Sequence, residues 1–425
     1  MISDTSIKTT TLKLTQAAGT VLLICHVIVF RLVGLLPTRD SLQQTADADA
    51  IALEWLSFVA WPTFLLAGIV LWLLPQLKGR SGAYWSRTVI ILSLLLVGIF
   101  TETATRMTVL ASFAEGSLMV IGAALQTAAV VAYLLAIRQD TTHSLHPSIH
   151  DMLLQIGAVW LVGLLSLHTA QTAALVAGFD SILLVQMHVG LYKGLALGFV
   201  GNTALWLLIS TMPHLLDTRE PPVRSSGVIV TYNLLLIAWI FGEIWSLHYP
   251  YTWVRLPLTL VGIAFGVSVV RLLSHLRVFD YLRAPVRDKR RLVVRTSVAA
   301  FVASILASAA IIAALGVWLG STQQVVWPYV GYALRELTQL GMGSYILAAI
   351  LIALTEPSPV DGKRYLLLWG LIIVVGIGLV STVLVSAFGA VAPTDFYPWS
   401  QLATRIGAVG HLIVALWLVA SMTRS

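Results

Sequence analysis

Cysteine occurs once in the chain, at Cys25. A single cysteine excludes an intrachain disulfide framework and a thiolate metal cluster built within one chain. Charge is scarce as well. Asp, Glu, Lys and Arg together make up 11% of the 425 residues, where a soluble domain carries about 25%. A Walker-type glycine-rich loop, HExxH and CxxC are all missing, which removes the nucleotide, zinc-hydrolase and thiol-redox readings those motifs carry. What the sequence does have is apolar surface. Hydrophobic residues account for 58% of it, and the mean hydropathy is +0.89. That is the composition of an integral membrane protein, and it is too apolar for one or two anchors.

A membrane span needs about 20 mostly apolar residues. By that measure the sequence predicts about twelve, near 15–36, 51–75, 86–108, 117–137, 152–176, 182–211, 227–247, 254–275, 293–319, 327–354, 365–386 and 399–421. Helices are expected throughout, because a helix satisfies its own backbone in lipid. The first span is too long for a signal peptide, and no small-residue cleavage site follows it before Pro37. The loops are short, so residues 1–425 read as a single integral membrane domain, an all-α polytopic bundle. No sequence repeat is evident.

Charge sets the expected orientation. One set of loops holds Lys78, Arg80, Arg138, Arg219, Arg224, Lys363 and Arg364, and the dense segment "RVFDYLRAPVRDKRRLVVR" at 277–295. The alternate loops hold only Arg39. Positive loops stay cytoplasmic, so both termini are expected inside. This accounts for the pI of about 9.6 without nucleic acid as a partner. The 277–295 segment reads first as a topology signal, and second as a surface for anionic lipid.

Ionisable residues inside the spans need a partner or a use, since each costs about 2.5–3.5 kcal/mol at mid-membrane. They are His26, Glu102, Arg106, His168, His188, Lys193, Glu243, Arg255, Arg335, Glu336, Arg405 and His411. Several fall in the outer halves of their spans. His168 sits late on an outward-running span and His188 early on the next, inward-running one. Glu243 lies near the outer end of the following span, with His248 just beyond. Two readings stay open: anchors and ion pairs between helices, or one outward-facing polar site. Glu102 and Arg106 have the four-residue spacing of a helix pair. Arg335 and Glu336 are neighbours and must look to other helices.

The segment "MHVGLYKGLALGFVGN", 187–202, is the densest in signals. At about 100° per residue, His188, Tyr192, Leu195, Phe199 and Asn202 share one stripe. Gly190, Gly194 and Gly198 form another, where small residues let a helix or flat cofactor approach closely. Histidine is the commonest metal ligand, and a tyrosine one turn on could donate a proton. The alternative is that His188 bonds a neighbouring helix and the glycines only pack.

These residues also carry a resemblance. "HVGLY" at 188–192 is similar to the start of the sixth helix of heme-copper oxidase catalytic subunits, and "LHYPYTW" at 247–253 to the end of their seventh. The "H…G…GFVG…P" pattern resembles the NnrS family. The resemblance spans about 187–280, under a quarter of the chain. It implies a heme-copper-oxidase-like bundle, heme or copper held at His188 with Tyr192, His168 and His248 nearby, and a role in nitric oxide response, electron transfer or a respiratory complex. It also implies redox protein partners beside the lipid bilayer, in a bacterial inner membrane.

The departures are specific. The paired histidines of the seventh helix are replaced near Trp245 and Ser246, with only His248 following. "VGYALRELTQLGMGSYIL" lacks the H-x-H heme pair, and "ALEWLSFVAWPTF" lacks the second-helix histidine. The full ligand set cannot be built at those places, which argues against oxygen reduction. His26, His168 or His411 would have to serve as relocated ligands. Two further readings therefore stand beside the first. One is a secondary transporter with Lys193, Glu243, Arg335 and Glu336 lining a substrate or proton path. The other is a cofactor-free scaffold subunit.

Overall fold

The computed structural model describes residues 60–78, 85–107, 113–141, 148–179, 191, 193–219, 226–248, 252–286, 289–319 and 409. The described residues are helical, with short turns and no strand among them. In chain order the helices are α1 (Trp61–Leu77), α2 (Trp85–Met107), α3 (Phe113–Thr141), α4 (Ile149–Val176), α5 (Gly201–Leu216), α6 (Ser226–His248), α7 (Thr252–His275), the short α8 (Val278–Arg283) and α9 (Lys289–Leu319). A π-helical turn, Gly194–Val200, runs into α5 without a break. Seven of the described helices are long and apolar enough to cross a membrane. The expected spans at 86–108, 117–137, 152–176, 227–247, 254–275 and 293–319 correspond to α2, α3, α4, α6, α7 and α9. The spans expected at 15–36, 327–354, 365–386 and 399–421 lie outside the described residues, apart from Val409.

The lipid-facing and protein-facing sides follow from helix register. On α7, Leu256, Leu260, Ile263, Val267 and Val270 are all exposed and recur every three or four residues. That apolar stripe suits acyl chains and would be a liability in water. Phe265, Val269, Leu272 and Leu273 occupy the other side and are buried. Small polar side chains satisfy themselves locally. The hydroxyls of Thr105, Thr141, Thr211, Thr296, Ser297, Ser304 and Ser308 each donate to the carbonyl four residues earlier on their own helix. In a bilayer this removes the cost of an unpaired hydroxyl while keeping the helix intact.

Two compact units are distinguishable. The first contains α1, α2, α3 and the part of α4 from Ala158 onward. Here α2 lies along α3, and α1 touches both. The approach of α2 to α3 is unusually close because glycines face each other. A Cβ at Gly98 would lie 2.8 Å from the Gly122 carbonyl oxygen, and one at Gly122 would lie 2.7 Å from the Glu102 nitrogen. At the far end of α4 the chain leaves through Gly178, whose φ is +78°. Phe179 N–H donates to the Ala174 carbonyl and Gly178 N–H to that of Leu175. This double bond pattern caps the last carbonyls and needs a left-handed residue.

The second unit contains residues 147–157 and the described helices from the π-helical turn to α9. Helix α7 packs against α6 and α9, and α8 rests on α9 and α5. Tyr232 of α6 and Phe265 of α7 meet with ring centroids 5.4 Å apart. In the span Gly194–Pro213, 89% of residues are buried, against 39% in the spans of α6 and α7. The π-helical turn and α5 are therefore enclosed by protein, and that enclosure decides what their polar residues can reach.

Candidate functional site

Two buried polar clusters stand out, one in each unit. In the first unit, Glu102 of α2 receives hydrogen bonds from two other helices. Gln126 of α3 donates from Nε2 to Glu102 Oε2 at 2.6 Å. His168 of α4 places Nε2 2.7 Å from Glu102 Oε1. All three side chains are buried. The contact depends on the glycines just described. Without Gly98 and Gly122, α2 could not come near enough to α3 for Gln126 to reach the carboxylate. Thr127 of α3 adds a second tie to α4, through the Leu165 carbonyl at 2.9 Å and the Thr169 hydroxyl at 2.8 Å. The chemistry is that of a carboxylate–imidazole pair shielded from water, steadied by an amide.

The second cluster lies in the other unit. Lys193, immediately before the π-helical turn, forms an ion pair with Glu243 of α6. The side chains are 5% and 3% exposed, so both charges are withdrawn from water. One lone charge at such a place would be costly, and pairing makes the site neutral. Beneath the pair the polar chain continues. Tyr232 donates its hydroxyl to the Leu197 carbonyl at 2.8 Å, inside the π-helical turn. Asn202 donates to the Gly198 carbonyl at 2.6 Å and to Asn233 Oδ1 at 2.9 Å. Asn233 in turn donates to Asn202 Oδ1 at 3.3 Å and to the Ile229 carbonyl at 2.9 Å. A π-helical turn shifts the backbone bonding from i+4 toward i+5 and recurs at functional sites. Here Tyr232 of α6 holds one of its carbonyls and Asn202 of α5 holds another.

This turn also revises the helix register of the sequence reading. The two stripes at 188–202 assumed an unbroken 3.6-residue period. From Gly194 to Val200 the wider turn applies, and all seven residues are buried, so within this turn the residues of both stripes face protein. Replacement of Gly194 by leucine should therefore destabilise the protein by about 1–3 kcal/mol, the usual cost of overpacking, while alanine is much milder. Equal thermal stability of the two variants in detergent would show that this side is open.

The sequence-predicted residues fall out as follows. His168 is held by Glu102, and Lys193 is paired with Glu243. His188, Tyr192, Arg335, Glu336, His26 and His411 lie outside the described residues, as do the side chains of His248, Arg106, Arg255 and Arg405. Among the described residues, no three His, Cys, Asp or Glu come together in a way that could hold a metal ion. Of the expected ligand set His188, Tyr192, His168 and His248, only the His168 side chain is among the described residues. Reading only the ionisable residues missed Gln126, Asn233 and Tyr232. Their signal was present: each is a polar residue in the middle of an apolar span. No known family model matches the chain, and no curated protein matches it at a significant level.

Proposed function

We propose that the chain is a secondary transporter of about twelve spans, with both termini cytoplasmic, whose working element is the Lys193–Glu243 pair. The observation that carries this reading is the burial of two opposite charges side by side, at the end of a π-helical turn. Buried intramembrane ionisable groups mark ion and proton pathways. A π-helical turn beside such a pair is a second mark of function, since these turns recur at functional sites. A lysine and a glutamate that exchange a proton can alternate between bonding each other and bonding a solute. The test is solute-dependent pH change in the lumen of proteoliposomes holding the purified full chain. Flux that requires both side chains supports the reading; a protein that moves no proton with any solute contradicts it.

A second reading keeps the resemblance to heme-copper oxidases and the NnrS family. The contact that favours it is Glu102 on His168, since carboxylates commonly fix the orientation of ligating histidines. In this reading His188 and His168 would hold the group, which would supply redox or nitric oxide chemistry. A Soret band from the purified protein would support it, and its loss in His188→Ala would name the ligand.

Both readings share one topological expectation, in a bacterial inner membrane. A cysteine placed within 277–292 should resist a membrane-impermeant maleimide in intact cells and react after lysis, because the basic loop stays inside. Labelling of intact cells would invert the orientation.

A further inference from the structure

We propose, independently of the transporter reading, that the basic end of α7 holds an anionic phospholipid, with its phosphate on Arg271 and Arg277 and an acyl chain along the exposed stripe of the helix. Leu256, Leu260, Ile263, Val267 and Val270 form that stripe, and Leu260 and Val267 are 60% and 63% exposed. Arg271 and Ser274 continue it, and both are exposed. Arg271 still lies within the apolar span Leu256–His275. The hydrocarbon of one leaflet is about 15 Å deep, which is the rise of about ten helical residues. That is the distance from Leu260 to Val270, so an acyl chain lying on the stripe ends where Arg271 begins.

An arginine on a lipid-facing stripe extends along its own stem toward the headgroups. What it meets there depends on which cations are already engaged. Arg291 is paired with Asp217 at 2.7 Å, and Arg295 donates to the Ala284 carbonyl at 3.1 Å. The side chains of Arg271 and Arg277 form no hydrogen bond or ion pair among the described residues. Backbone bonds keep the second arginine within a turn of the stripe. Arg277 N–H donates to the Ser274 carbonyl at 3.1 Å, and Leu276 N–H to that of Leu272 at 2.9 Å. Arg277 is left-handed, with φ +56°, a conformation that helix ends usually leave to glycine. The chain therefore stops rising just past Arg271, and the half-exposed Arg277 stays at headgroup level. On α8, Arg283 adds a further exposed cation to this end and Asp280 one carboxylate.

Guanidinium groups bind phosphate oxygens through paired N–H donors. Two arginines at one level repel the quaternary ammonium that a zwitterionic choline headgroup carries beside its phosphate. A glycerol headgroup brings the phosphate charge alone, so charge complementarity selects an anionic lipid. A soluble phosphate ester would suit the arginines equally and would make no use of the apolar stripe that leads to them.

The experiment is native mass spectrometry of the purified, delipidated full chain in detergent, titrated with equimolar phosphatidylglycerol and phosphatidylcholine. In the wild type, phosphatidylglycerol adducts should exceed phosphatidylcholine adducts by roughly thirtyfold, since each arginine beside an anionic headgroup is worth about fivefold. Arg271→Gln should lower the preference by about fivefold, and Arg271→Gln with Arg277→Gln should bring it near parity. Arg219→Gln removes an exposed cation from the loop after α5 and should leave the preference unchanged. The wild-type comparison needs no variant, so a misfolded mutant does not remove the test. Equal binding of the two lipids by the wild type overturns the assignment. So does an equal loss in Arg219→Gln and Arg271→Gln, which would show diffuse charge in place of a site. Displacement of phosphatidylglycerol by sn-glycerol 3-phosphate at equal concentration would make this a site for soluble phosphate esters and overturn the lipid assignment. A wild-type dimer that is lost in Arg271→Gln, with no lipid preference, would put a second copy of the chain on this face and overturn it too.

Discussion

Lys193→Met should destabilise the protein by about 3–5 kcal/mol, the usual result of removing one partner from a buried ion pair. The loss arises because Glu243 stays where it is, buried, without the ammonium that offset its charge. The double variant Lys193→Met with Glu243→Leu should recover most of that loss, since apolar replacement of both charges avoids desolvation altogether. Thermal unfolding of the single and double variants in nanodiscs provides the comparison. Such a recovery would show that the pair is retained for use and not for stability, because a neutral pair would hold the helices together as well. If the single variant is as stable as the wild type, water reaches the site and the charges are not confined.

The second large effect is expected at the glycine contact of the other unit. Gly122→Leu should abolish the close seating of α2 on α3, because even a Cβ there would come within 2.7 Å of the Glu102 backbone nitrogen. The colliding atom is main chain and cannot rotate away. Separation of the helices would draw Gln126 and His168 off the carboxylate, adding the cost of a buried unpaired charge to the steric one. The loss should exceed the roughly 1–3 kcal/mol of simple overpacking. A control is Gly163→Ala, where a Cβ would meet nothing within 4 Å. Unfolding temperatures that fall for Gly122→Leu and hold for Gly163→Ala are the expected pair of results. If both hold, the α2–α3 contact is looser than described.

How much of this could be read from sequence alone depends on the length scale of the signal. Span positions were legible, because a run of about 20 apolar residues needs no tertiary information. Helices α2, α3, α4, α6, α7 and α9 lie where hydropathy puts them. The register of the turn leading into α5 was less legible, since a π-helical turn leaves no mark in hydropathy and breaks the period on which stripes are drawn. That Glu102, His168, Lys193 and Glu243 needed partners was legible from the cost of charge in lipid. Which partners they found was not. Glu102 bonds Gln126, 24 positions away, and His168, 66 away. Pairings at that separation are set by how helices are seated, and here by Gly98 and Gly122. The sequence offers Lys193, Glu243, Arg335 and Glu336 as a set, and the pairing of Lys193 with Glu243 within it is decided by where α6 sits.

The most direct test of the account is solute-dependent proton movement into proteoliposomes holding the purified full chain, compared between the wild type, Lys193→Met and Glu243→Gln. The account predicts proton flux in the wild type that each substitution abolishes. A wild-type protein that moves no proton with any solute, or flux that survives both substitutions, would contradict the claim that the Lys193–Glu243 pair is the working element.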